Sequence, residues 1–187
     1  MFSAVLDTSV IFPARLNDTL LSFAEQKLYR PLWSEAILQE LRESRARTYP
    51  HRDPQSVEFR VEAMRRAFPT ATVAGWKGIA EEIAHMLPDP HDAHVIAAAR
   101  IGGAEFIVTD NLKDFPLKTL ALWGLSAISA DQFLVKLWRS DPNAGSKALR
   151  MQSLRMLKPP LSPEEILEQL AETVPEFSRI ALASRIA

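Results

Sequence analysis

The sequence predicts an α/β fold in which a central parallel sheet carries helices on both faces, followed by an all-helical C-terminal extension. Three observations predict it. Short apolar runs alternate with helical patterns over roughly the first 130 residues, several of those runs end abruptly in acidic or hydroxyl residues, and from about Ser129 onward only helical patterns remain. The expected division is therefore 1–130 for the α/β region and 131–187 for the extension.

Phe2 to Leu6 is a short, mainly apolar run that stops at Asp7-Thr8-Ser9, as a buried strand with polar groups at its carboxyl end would. A helix is expected from near Thr19 to Lys27, then a strand over Arg30 to Trp33. Ser34 is a good N-cap for a helix reaching about Arg47. Asp53-Pro54 marks a further start, carrying Val57, Val61, Met64 and Phe68 inward until Pro69. Ala71 to Ala74 reads as a strand, Ile79 to Leu87 as a helix, and Asp89-Pro90 opens a helix over Asp92 to about Ile101 that Gly102-Gly103 stops. Ala104 to Thr109 is a strand leading into the acidic stretch Asp110 to Phe115, and Ala127-Ile128 is a last short strand. In the extension, a basic helix is expected around Lys147 to Lys158, and Ser162-Pro163-Glu164-Glu165 is a cap signature for a helix to about Thr173.

Composition narrows the function classes. Lys+Arg of 22 against Asp+Glu of 23 gives a net charge of −1, so any nucleic-acid contact must come from a local patch rather than a global basic field. The absence of cysteine excludes disulfides and thiolate metal sites. No basic start followed by a long apolar run opens the chain, and no stretch reaches the ~20 apolar residues that span a bilayer. A soluble, cytoplasmic protein with no membrane contact is expected.

The acids carry the chemistry. In an open parallel sheet, ligands collect at the carboxyl ends of the strands, where Asp7 and Asp110 are expected; a turn-capping role is the alternative for each. Glu40 lies at the border of the apolar face formed by Trp33, Ile37, Leu38 and Leu41, whereas Glu35 and Glu43 point away from that face. Asp89 is the natural cap of the following helix, which leaves Asp92 at the edge of an apolar, small-residue helix. Such carboxylates in one crevice repel one another unless a cation neutralises them, and hard oxygen ligands favour Mg²⁺ or Mn²⁺. Such a site suits phosphodiester cleavage. His91 and His94 lack a third partner for zinc and read as capping or rim residues, and Trp33, Trp76, Trp123 and Trp138 read as packing residues.

The segments Val5-Leu6-Asp7-Thr8-Ser9, Leu38-Gln39-Glu40-Leu41, Asp92 to Ala99 and Ile107 to Phe115, in this order, resemble the PIN domain. That family comprises metal-dependent ribonucleases, including the VapC-type toxins of bacterial toxin–antitoxin pairs. The resemblance covers about residues 1–130 and implies a three-layer fold. It implies Asp7 and Asp92 as principal ligands of Mg²⁺ or Mn²⁺, and Glu40 as a further acid that binds metal or orients water. The last acid would come from the segment after Thr109, where Asn111 holds the usual position and Asp110 and Asp114 flank it. Ser9 and Thr109 match hydroxyls that support the cluster. RNA entering the crevice would meet a basic lip of Arg42, Arg45, Arg47, His51 and Arg52, or these residues form an ordinary solvated helix face. Toxins of this type are held inactive by a small antitoxin that can place an Arg among the acids. A homodimer is also expected, and the apolar Ile166, Leu167 and Leu170 stripe marks the helical tail as an oligomerisation or partner-docking surface.

Two other functions compete. An aspartyl-nucleophile phosphatase of the haloacid-dehalogenase type would place a second Asp where Ser9 stands. A PIN-like module that only binds RNA or protein would show replaced acids, whereas this chain retains a full set.

Overall fold

The computed structural model describes residues 1–184; the part of the expected extension at 185–187 lies outside the described residues. Five strands, β1 (Ser3–Leu6), β2 (Arg30–Ser34), β3 (Thr72–Val73), β4 (Phe106–Val108) and β5 (Ser126–Ile128), form one wholly parallel sheet in the order β3-β2-β1-β4-β5. All five lie where apolar runs predict them. The chain steps outward from β1 through β2 and β3, then resumes on the other side with β4 and β5. That reversal beside β1 is where an open parallel sheet leaves a crevice at its carboxyl edge.

The chain divides into two compact units. One comprises Phe2–Phe12 and Arg30–Ile128 and contains the entire sheet, flanked by helices; the other comprises Met1, Pro13–Tyr29 and Ser129 onward.

In the sheet unit, α1 (Thr8–Ile11) turns directly off β1 because the Asp7 carboxylate accepts hydrogen bonds from the Thr8 and Ser9 amides. Of the helices in the other unit, α2 (Ala14–Glu25) begins after Pro13 and ends ahead of Lys27, whose φ of +62° cannot continue a helix. It is thus one turn earlier than the expected Thr19 to Lys27. Back in the sheet unit, α3 (Glu35–Thr48) is capped by Ser34, whose hydroxyl accepts from the Ile37 amide at 3.2 Å, and it buries Ile37, Leu38 and Leu41 as the wheel requires. The helix α4 (Gln55–Ala67) follows Asp53-Pro54, with the Asp53 carboxylate accepting from the Gln55 amide at 2.9 Å. The segment expected as one helix over Ile79 to Leu87 divides into α5 (Lys77–Ile83) and a 3-10 turn at Ala84–Met86. Asp92 closes a second 3-10 turn, Pro90–Asp92, which leads into α6 (Ala93–Gly102). Gly103, at φ +64°, supplies the left-handed residue that ends α6. A last short helix, α7 (Leu117–Ala121), precedes β5.

The helical unit joins α2 to α8 (Ala130–Ser140), α9 (Pro142–Arg155), α10 (Pro163–Leu170) and α11 (Pro175–Ala183). Asp141 caps α9 through the Ala144 amide at 2.9 Å, so this helix starts well before the Lys147 expected from its basic residues. Ser162 and Glu165 form the reciprocal capping box that their spacing predicts. Edge-on aromatic pairs fill the core, Tyr29 with Phe133 at 4.9 Å and Phe23 with Phe177 at 5.6 Å between ring centres. Ile166, Leu167 and Leu170 are 0–2% exposed, which corrects the expectation that their stripe is an assembly surface. Their apolar periodicity faces α9 and α11 of their own unit, and a helical wheel cannot distinguish an internal partner from an external one.

Gly145 lets α9 approach the neighbouring rings. A Cβ there would stand 2.6 Å from Cε3 of Trp138 and 3.4 Å from Phe23. We expect Gly145→Ala to lower unfolding stability by about 1–2 kcal/mol, the overpacking exceeding the gain in helix propensity. Urea unfolding measures it.

Candidate active site

Asp7 and Thr109 are the first residues beyond β1 and β4, and the register that pairs Leu6 with Val108 sets them side by side. The Asp7 amide donates to the Val108 carbonyl at 3.0 Å, extending that ladder to the edge of the crevice. Its carboxylate is buried and fully supported. Oδ1 accepts from the Thr8 amide at 2.7 Å, and Oδ2 accepts from the Ser9 hydroxyl at 2.7 Å, the Thr109 hydroxyl at 2.8 Å and the Ser9 amide at 3.4 Å. One acid thus caps α1 and is held in a single orientation facing the crevice.

Thr109 does more than support Asp7. Its hydroxyl also accepts from the Asn111 amide at 3.1 Å and lies 3.2 Å from the Ser9 hydroxyl. Thr109→Val keeps the shape and removes this junction. We expect it to cost about 1–3 kcal/mol by stranding buried polar groups and to lower turnover about 10- to 100-fold, read by denaturation and by single-turnover kinetics.

Glu40 enters from α3. Its Oε2 accepts from the Thr8 hydroxyl at 2.7 Å, and Nε2 of His94 lies 2.9 Å from its Oε1. Burial favours the protonated form of Glu40, but the hydrogen bonds from His94 and Thr8, reinforced by the charges of His94 and His91, outweigh it and hold the carboxyl below its ordinary range. His94 corrects the expectation of a capping or rim residue. It is buried, with its ring 5.8 Å from that of Trp76, and is a direct partner of Glu40. Together with Thr8, it is a neighbour of Glu40 that pattern reading misses; the available signal is a histidine within the apolar run Ala93–Ala99.

Asp92 stands in the opposite condition. Asp89 caps the turn by accepting from the His91 amide at 2.9 Å, and the Asp92 side chain makes no capping bond. Its Oδ2 is buried and has no hydrogen-bond partner among the described residues. Burial, then the negative charges of Asp7, Asp89, Asp114 and Glu40, push its carboxyl up to about 7. Four acids therefore act electrostatically on one that has no local compensation.

The acidic stretch after β4 folds into a 3-10 turn, Leu112–Asp114. The Asn111 side-chain amide donates to the Asp114 carboxylate, and the charge of Asp114 is felt at Asp92. Asp110 is exposed, and its amide donates to the Ser9 hydroxyl at 3.1 Å; neither Asp110 nor Asp114 lines the cavity, whereas Asn111, between them in sequence, does. Asp7, Thr8, Ser9, Glu40, Asp92 and Asn111 line a cavity of about 780 Å³. Arg47 and Glu43 stand in its wall, so Glu43 reaches the site despite its position off the apolar face.

The basic lip is only partly assembled. Arg42 is committed to Glu58 at 2.6 Å and Glu35 at 3.1 Å, a pairing invisible in sequence because Glu58 comes from the next helix. Arg45 and Arg52 instead lie over the Tyr49 ring, 4.8 and 5.0 Å from its centre.

Among the described residues no three His, Asp or Glu side chains are already gathered as a metal cage. The donor chemistry nevertheless fits a hard cation, because the uncompensated Asp92 oxygen and the charges converging on it are what such an ion would neutralise.

Residues 3–113 match the PIN domain, which is more than half of the sequence and includes Asp7, Glu40, Asp92 and Asn111. The chain belongs to the PIN-domain family. Beyond the PIN domain, residues 130–183 match a second family, the VapC50 C-terminal domain. One similar protein is "Putative ribonuclease VapC50" of Mycobacterium tuberculosis (strain ATCC 25618 / H37Rv), 35% identical over 101 residues, which cover 54% of this chain. The match spans 60% of that relative's length. No solved structure matches the chain.

Proposed function

We propose that this PIN-domain chain is an endoribonuclease dependent on Mg²⁺ or Mn²⁺, acting as the toxin of a VapBC-type toxin–antitoxin pair in the cytoplasm. The observation that carries it is Asp92, an acid with a raised proton affinity and an unpartnered buried oxygen, in one cavity with Asp7 and Glu40. Support for the toxin reading comes from the relative named as a VapC50 ribonuclease and from the matching C-terminal family.

Asp7 and Asp92 are the residues that would hold the cation, with Glu40 and Asp114 completing the negative field; Asp114, whose charge reaches Asp92, is preferred over Asp110. When bound, a divalent ion supplies neutralisation of the acids, a lowered water pKa and charge stabilisation on the phosphate. The protein supplies the rest. Asp7 is pinned by Thr8, Ser9 and Thr109, so its oxygens need no rearrangement when substrate enters. Glu40, kept ionised and oriented by His94 and Thr8, accepts a hydrogen bond from the attacking water and aims it in line with the scissile bond. Arg47, at the cavity wall, receives phosphate. A small antitoxin placing an Arg among these acids would block the site by the same charge complementarity. A homodimer remains part of this reading, formed by a surface other than the Ile166 stripe.

The test is incubation of total RNA with the purified chain in Mg²⁺ or Mn²⁺, against EDTA. Discrete metal-dependent products are expected. Inert protein that still binds RNA would favour the silent binding module, against which the retained acids argue.

A further inference from the structure

A second cavity adjoins the acid cavity and shares Glu43 with it. The half-exposed Phe12 ring lines the acid cavity and lies parallel to the Tyr49 ring, with centres 6.2 Å apart and planes 10° apart. Tyr49 in turn lines the second cavity, of about 420 Å³, with Arg45 and Arg52. The Arg45 guanidinium lies 5.8 Å from the Phe12 ring centre as well as over Tyr49.

Arg42, Arg45 and Arg52 line this cavity beside Glu43, Asp53 and Glu58, but the cations are not all paired. Among the described residues, Arg45, Arg47, Arg52 and Arg60 form no ion pair, whereas the nearby Arg42 and Arg65 are matched to Glu35, Glu58 and Glu62. Arg60 is half-buried and donates to the Phe12 carbonyl at 3.3 Å, and burial with the positive charge of Arg45 lowers its pKa to about 10. Guanidiniums left without an ion pair, set around two parallel rings, fit a ligand that is both anionic and aromatic.

We propose that Phe12 and Tyr49, with Arg45 and Arg52, form a platform that stacks an unpaired base of the RNA substrate and binds its adjoining phosphate, beside the bond to be cut. This rests on the ribonuclease reading. Base stacking on a ring is indifferent to sequence but requires a base free of its duplex, so the platform selects single-stranded segments. In the free protein the guanidiniums occupy the ring faces; an entering base displaces one of these flexible side chains, which then meets the phosphate.

The test is fluorescence anisotropy in EDTA with a short labelled single-stranded RNA and the corresponding duplex, using wild type, Tyr49→Ala, Tyr49→Phe and Arg45→Ala, each checked by thermal melting. Tyr49→Ala is expected to weaken single-strand binding about tenfold and Tyr49→Phe to leave it nearly unchanged. Arg45→Ala should weaken binding and flatten its salt dependence by about 0.7 in logarithmic slope. Single-strand affinity unchanged in Tyr49→Ala, or lost equally for duplex, overturns the platform and leaves this face to a protein partner. Cleavage in Mn²⁺ by the same samples separates the two claims. Cleavage with no dependence on Tyr49 leaves the nuclease standing without the platform, and Tyr49-dependent binding without cleavage does the reverse.

Discussion

Asp92→Asn is expected to abolish RNA cleavage, with kcat/KM falling by about a thousandfold, or ~4 kcal/mol of transition-state stabilisation. The same substitution should raise the melting temperature of the metal-free protein at pH 8. The sign follows from the raised carboxyl. The folded-state pKa of about 7 lies above the ordinary value of 3.8, so between them the folded state binds more protons than the unfolded state. Stability contributed by this group is fully present below pH ~4, declines as pH rises and is lost above about 7. Asn is neutral throughout, so its advantage over wild type is greatest at pH 8 and vanishes at low pH. A divalent cation would reverse the order, stabilising wild type by ~2.7 kcal/mol at a hundred times its Kd while leaving the variant unaffected. Thermal melts across pH, with and without Mn²⁺, read each part.

Asp7→Asn should likewise abolish cleavage, yet it should destabilise the protein by about 2 kcal/mol or more. All four groups that reach the Asp7 carboxylate are donors: two amides and two hydroxyls. An Asn side chain offers one acceptor oxygen and an NH₂ group, so whichever way it is turned the NH₂ faces a backbone amide, that of Thr8 or of Ser9, and the cap of α1 is weakened. Two acids assigned to one cation thus have opposite effects on folding, because one is satisfied by the protein and the other is not. If the pair were merely structural, both substitutions would leave turnover intact.

The parts of this site legible in sequence are those fixed by element geometry. Asp7 and Thr109 follow apolar runs that form adjacent parallel strands, so their proximity is determined once β1 pairs with β4. Glu40 was reachable because a 3.6-residue period places it at the border of the buried face of α3. What was not legible depends on tertiary partners. His94 looked like a rim residue until the packing of α6 buried it against Glu40. Arg42 looked available for RNA, but Glu58 reaches it from α4. The pairing of Asp114 with Asn111 depends on three residues of 3-10 helix, too short to leave a period. In the helical unit, likewise, the stripe on α10 was correctly periodic while its partner was internal.

The most direct measurement is a calorimetric titration of Mn²⁺ into wild type and Asp92→Asn at pH 6 and pH 8. Wild type is expected to show a saturable site that releases more protons at pH 6, where the Asp92 carboxyl is largely protonated, and the variant no such site. Equal binding by both proteins, with no proton release, would contradict the assignment of this acidic crevice as a metal-dependent nuclease centre.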